Sequence, residues 1–99
     1  MANFLLTNKA VDDLSEIWNY TFEEWSESQA DKYYFQLLSD CKELARNQNL
    51  GKNYPEISKE IFGYKSGKHI IFYRKIDNET IEITRFLHSQ MDLRNRIQD

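Results

Sequence analysis

His69-Ile70-Ile71-Phe72-Tyr73-Arg74-Lys75-Ile76 and Thr80-Ile81-Glu82-Ile83-Thr84-Arg85-Phe86-Leu87 are two β-rich runs on either side of Asp77-Asn78-Glu79. β-branched and aromatic residues favour pleated backbone, and Asp and Asn tolerate the positive φ of tight turns. The stretch therefore reads as a β-hairpin. A second turn, Lys65-Ser66-Gly67-Lys68, precedes it, and Glu60-Ile61-Phe62-Gly63-Tyr64-Lys65 reads as a short strand. A three-strand meander is expected at the centre of the fold, with everything before it covering one face. Strict alternation in the last strand puts Ile81, Ile83, Arg85 and Leu87 on one face. Glu82, Thr84, Phe86 and His88 take the other. An arginine among three aliphatics is costly unless it is paired or sits at the open end of the sheet.

Upstream, Ala2 to Leu6 is short and apolar through Phe4-Leu5-Leu6, read as a first strand, fully or largely buried. Thr7 or Asn8 suits a helix N-cap, because either side chain accepts a bond from a free backbone N–H. Val11, Leu14, Ile17, Trp18, Phe22 and Trp25 recur at helical steps, predicting a helix over 8–25. Asp12 and Asp13 are placed in its first turn, where the helix dipole favours negative charge. Ser26-Glu27-Ser28 breaks the pattern, and Ser28 with Asp31 resembles a capping box. Ala30, Tyr33, Tyr34, Leu37, Leu38, Cys41, Leu44 and Ala45 carry a second helix to about Asn47. So short a link makes the pair an antiparallel hairpin. Trp18, Trp25, Tyr33 and Phe35 are assigned to the core. The stretch 47–55 is a loop ended by Pro55. After His88, Met91, Leu93 or Arg94, and Ile97 are spaced for a short final helix or an ordered tail.

The 99 residues are expected to form one domain, 1–99, with stability on the order of 5–10 kcal/mol. The fold class is α+β, in the order β-α-α-β-β-β. The helical hairpin packs on an antiparallel sheet, and a short C-terminal helix can follow. The lone cysteine, Cys41, excludes an internal disulfide and sits on a helical apolar stripe, as a buried hydrophobe would. His69 and His88 stand apart from any cluster with metal-ligand spacing, so neither metal nor cofactor is expected. No basic-then-apolar leader or membrane-length apolar run is present, which makes a cytoplasmic protein the expectation. The net charge of −3 is unevenly laid out. Asp12 to Asp31 holds seven acids and no base, whereas Lys42 to Lys75 holds eight bases against three acids. The basic half is either a solvated rim or a footprint for an acidic partner.

This order of elements, with these residues, resembles the ParE branch of the RelE/ParE toxin superfamily over nearly the whole chain. The resemblance rests on Thr7, Ala10, Asp13-Leu14, Ile17 and Tyr20, then Gln29-Ala30, Tyr33, Leu37, Leu44 and Gly51. Its sharper part is Gly63-Tyr64, the His69-to-Arg74 strand, Ile81-Glu82-Ile83, and Arg85-Phe86-Leu87-His88 with Met91-Asp92. It implies the toxin half of a bacterial type II toxin–antitoxin pair. Such a protein is held inactive by an acidic, partly disordered antitoxin of the ParD kind. ParE-type members act on DNA gyrase and block replication, whereas RelE-type members cut messenger RNA on the ribosome.

The chemistry of cutting separates these two readings. A metal-free ribonuclease needs a base for the 2′-hydroxyl, an acid for the leaving group and cations on the phosphate. In RNA-cutting relatives an arginine typically follows the histidine that opens the middle strand; here that residue is Ile70. Such relatives often end in a tyrosine near the last strand, and no tyrosine follows Tyr73. His88 could act as a base, since an unperturbed imidazole titrates near pH ~6.5, or could pair structurally. Arg85 either pairs with Asp92 or a helix acid, or lines a concave sheet surface where a ribonuclease keeps its site. The expectation is a gyrase-inhibiting binding protein without catalytic residues, with a RelE-like endoribonuclease as the alternative. A decayed toxin that keeps only the fold and the antitoxin contact is the third. Arg74, Arg85, His88, Lys65 and Lys68 are the candidate residues for binding target or antitoxin.

Overall fold

Seven elements are present in the computed structural model, which describes residues 1–89: β1 (Asn3–Leu6), α1 (Asn8–Glu24), α2 (Glu27–Arg46), β2 (Lys52–Asn53), β3 (Phe62–Ser66), β4 (His69–Lys75) and β5 (Thr80–His88). The meander is where the alternation placed it. The sheet runs β1-β5-β4-β3-β2, antiparallel throughout except that β1 adds to β5 in parallel. Parallel neighbours need a long crossover, and the helical hairpin is part of it. The α+β class holds, with one parallel edge on an otherwise antiparallel sheet. Gln90, Met91, Asp92 and the expected final helix lie outside the described residues.

A bulge decides what β5 presents. Phe72 pairs with Arg85 and Tyr73 with Ile83, so Thr84 is the extra residue. Beyond it the alternation slips by one. Ile81, Ile83 and Phe86 join the main core, while Leu87 joins a second cluster with Ile61, Ile70 and Phe72. This corrects the strict alternation, which grouped Arg85 and Leu87 with Ile81 and Ile83. A slip of one residue sends every later side chain to the opposite face.

The helices cover the main core face. Leu37, Cys41, Leu44, Ile71, Tyr73, Ile81 and Ile83 have no exposed surface. Each large aliphatic so buried contributes about 1.5–3 kcal/mol. α2 buries five residues (Ala30, Leu37, Cys41, Leu44, Ala45) and anchors the pair. α1 buries Ala10, Asp13 and Leu14. Trp25 and Phe35, assigned to the core by their size, are 71% and 64% exposed. The helical stripe that carries Val11, Phe22 and Trp25 is wider than the sheet beneath it and turns partly outward.

The helix caps are local. Thr7 Oγ1 accepts from Ala10 N at 3.1 Å and donates to the Thr84 carbonyl at 2.8 Å, so one hydroxyl starts α1 and ties it to β5. Ser26, not Ser28, caps α2 by accepting from Gln29 N at 3.1 Å. α1 begins at Asn8, which puts Asp12 and Asp13 beyond its first turn. The 77–79 turn uses no positive φ. Asp77 instead closes it with its side chain, Oδ1 accepting from Glu79 N at 2.8 Å. Gly67 supplies the sole positive φ among the described residues, +60°, at the first loop position between β3 and β4.

Candidate functional site

β4 and β5 run antiparallel, so the start of one and the end of the other meet at one end of the sheet. His69 and His88 are register partners there, with ring centroids 5.4 Å apart and one ring edge-on to the other. The α1–α2 turn lies across the same end. Between them is a cleft of about 600 Å³, bounded by Tyr20, Trp25, Tyr33, Lys68, His69 and His88.

Tyr33 is the hub of this cleft. Its hydroxyl accepts from Lys68 N at 3.1 Å and lies 2.7 Å from His69 Nδ1 and 3.2 Å from the Ser66 carbonyl. A carbonyl only accepts, so when the hydroxyl proton goes to Ser66, His69 Nδ1 carries the proton shared with Tyr33. Burial, reinforced by the neighbouring His88 and partly opposed by Asp13, pushes the His69 imidazole down to about 4. His69 is therefore neutral at physiological pH. Burial likewise raises the Tyr33 phenol above its ordinary range. Behind them, Ser66 Oγ donates to Asp40 and fixes the turn to α2.

The five candidate residues do not converge. His88 and Lys68 share the cleft. Arg85 instead forms a two-pronged pair with Asp13, Nε to Oδ2 at 2.7 Å and Nη2 to Oδ1 at 3.0 Å. Of the partners open to Arg85, the one found is a helix acid, and Asp92 lies outside the described residues. Arg74 Nε donates to Glu82 at 2.7 Å on the sheet surface. Lys65 is exposed on β3, opposite Ile70. Ile70 is 7% exposed, packed with Phe72, Leu87 and Ile61, with Tyr54 and Ile57 against them. The sheet face away from the helices is thus filled by apolar side chains of the segment before β3. Cys41 is buried as expected, and burial pushes its thiol up to about 12.

The cleft residues that sequence reasoning missed are Tyr20, Trp25, Tyr33 and His69. A signal for one of them was available: folding the two β runs about Asp77–Glu79 places His69 opposite His88. Tyr33 had no such signal, because its partners lie more than thirty residues away. Among the described residues, no three His, Cys, Asp or Glu side chains gather as metal ligands would. No helix there is long and apolar enough to cross a membrane.

Comparison with known proteins gives a consistent result. Residues 4–93 match the family model of the ParE toxin of the type II toxin–antitoxin system parDE. The chain is 33% identical over 92 residues to Toxin ParE1 of Mycobacterium tuberculosis, covering 93% of this chain and 94% of that protein. In fold it is similar to a chain of the chromosomal ParDE system of P. aeruginosa, with a TM-score of 0.74 at 20% identity, covering 89% of this chain and 96% of the other. The toxin–antitoxin complex RelBE2 from Mycobacterium tuberculosis gives 0.67 at 18% identity, covering 88% and 96%.

Proposed function

The chain belongs to the ParE toxin family of type II toxin–antitoxin systems, and from that membership we propose that it acts by binding: it inhibits DNA gyrase, and a ParD-like antitoxin neutralises it by direct contact. The observation that carries this reading is the position of Ile70. A phosphate-cleaving site needs cations where charge develops. At that point of the middle strand stands a buried isoleucine among Phe72, Leu87 and Ile61. Arg74 donates through Nε to Glu82, and Arg85 is held by Asp13. Both toxin and target would then be cytoplasmic.

The deciding measurement is gyrase supercoiling. Purified toxin at micromolar concentration should block supercoiling of relaxed plasmid, and equimolar antitoxin should restore it. Unimpaired supercoiling would exclude the gyrase reading. Ribosome-dependent cleavage of messenger RNA in the same preparation would favour the RelE-like alternative, for which His88 in the cleft is the residue to test first.

A further inference from the structure

We propose that the outer groove of the helical hairpin docks a basic amphipathic helix of a partner protein. The inference rests on the reading above, that the protein acts by binding, and gives the target its surface. The groove runs between α1 and α2 on the side turned away from the sheet. Ser15, Trp18 and Asn19 line it from one helix, and Asp31, Tyr34 and Phe35 from the other, around about 440 Å³. Phe35 is 64% exposed, and Phe22, edge-on to Trp18 at 5.3 Å, is 42% exposed. Trp18 Nε1 donates to Asp31 Oδ1 at 3.0 Å, which holds the indole in place as one wall. Two antiparallel helices with aromatics in their outer groove offer the ridges and furrow that a third helix packs into.

Charge decides which helix. Seven acids and no base lie between Asp12 and Asp31. Asp13 is buried, and the other six (Asp12, Glu16, Glu23, Glu24, Glu27 and Asp31) are exposed; Asp31 lines the groove itself, Glu24 lines the cleft beside His69 and His88, and one exposed base, Lys32, follows Asp31. A lining acid among aromatic faces, on a hairpin with an acidic excess over residues 12–31, suits Lys or Arg beside an apolar stripe, through ion pairs and cation–π contacts. It repels an acidic antitoxin, whose complement is the basic stretch from Lys42 to Lys75. It equally disfavours a second copy, whose hairpin would bring the same acids.

Two helical peptides of about 18 residues test the groove directly, one with a leucine stripe flanked by lysines and one with the same stripe flanked by glutamates. Tryptophan emission reports binding. The lysine peptide should bind, and the glutamate peptide should bind at least ~10-fold more weakly. Phe22→Ala with Phe35→Ala should weaken the lysine peptide by a further ~10-fold, as loss of central aromatic anchors does. Glu16→Gln with Asp31→Asn changes charge alone and decides the matter should the aromatic variant fail to fold by circular dichroism. Equal binding of both peptides, or no effect of either variant, overturns the proposal. In the supercoiling assay the charge variant should need ~10-fold more protein for inhibition while its antitoxin affinity stays within about twofold. Loss of antitoxin affinity instead would give the groove to the antitoxin and overturn the assignment. Wild-type protein that leaves supercoiling untouched defeats the gyrase reading alone, and the peptides still judge the groove.

Discussion

Asp13 does the work of a missing strand. β1 pairs with β5 only from Thr80 to Ile83, so the edge of β5 beyond that point has lost its neighbour. Asp13 Oδ2 accepts from Phe86 N at 3.0 Å and so satisfies a backbone donor there, while both carboxylate oxygens grip Arg85. Removing one partner of a buried ion pair costs far more than the pair itself contributes, because the other charge is left behind. Asp13→Ala should therefore destabilise by about 3–5 kcal/mol. Asp13→Asn, which keeps an acceptor for Phe86, should cost clearly less. Urea unfolding of the two variants measures the difference, and equal costs would mean that the backbone bond contributes nothing. His69 makes a prediction of the opposite kind. Its folded-state value near 4 lies below the unfolded value of about 6.5, so the unfolded chain binds more protons between them. The stabilising contribution is complete above pH ~6.5 and is lost as the pH falls towards 4. With the ring partly exposed, no more than about 2 kcal/mol is at stake. Chemical denaturation at pH 7.5 and pH 4.5 should show the loss, and His69→Gln should flatten it.

Among the elements, the turn between β3 and β4 is the most exacting. Gly67 has φ of +60°, and a Cβ built there would lie 2.6 Å from Tyr33 Cε1. Gly67→Ala thus meets both backbone strain and the ring that organises the cleft. The cost should exceed about 1 kcal/mol, visible as a fall in Tm of several degrees. That a turn lies at Gly67-Lys68, two residues shorter than the 65–68 expected because Lys65 and Ser66 still pair in β3, was legible because glycine at such a site is a local property. So were the two helices, the hairpin of β4 and β5, and the burial of Cys41, each set by periodicity within its own segment. What was illegible depended on partners far along the chain. The Thr84 bulge is one case, since nothing in Ile83-Thr84-Arg85 marks the residue that β4 skips. The exposure of Trp25 and Phe35 is another: helical spacing says that they share a flank, not whether the sheet is wide enough to cover it. β2 is only two residues long and gains its pairing from Phe62 and Gly63. The site was half legible for the same reason. His88 was picked out as a possible base and Lys68 for the basic stretch it belongs to, and both line the cleft, but the cleft exists only because Tyr33 comes across from α2.

At the scale of the whole molecule two stretches of the chain carry opposite charge. Asp12 to Asp31, from α1 into the start of α2, holds seven acids and no base, and the stretch from Lys42 to Lys75 holds eight bases against three acids. A bipolar surface on a protein of small net charge orients its partners during approach more than it tightens the final complex. If an acidic antitoxin is captured by the strand side, Lys65, Lys68 and Lys75 are the residues that steer it. Lys65 and Lys68 stand exposed beside one turn. Lys75 lies at the far end of β4, held by Asn49 at 3.0 Å and over the Phe62 ring at 4.3 Å. Charge reversal of all three to glutamate should slow association with the antitoxin by about tenfold or more at low salt, with a smaller effect on dissociation. The wild-type rate should fall steeply as salt rises from about 50 to 300 mM, and the variant's should not, because screening removes an attraction that the variant lacks. Stopped-flow mixing over that salt range distinguishes the cases. Matching rates and salt slopes for the two proteins would mean that the basic half merely solvates the surface, and that recognition rests on shape alone.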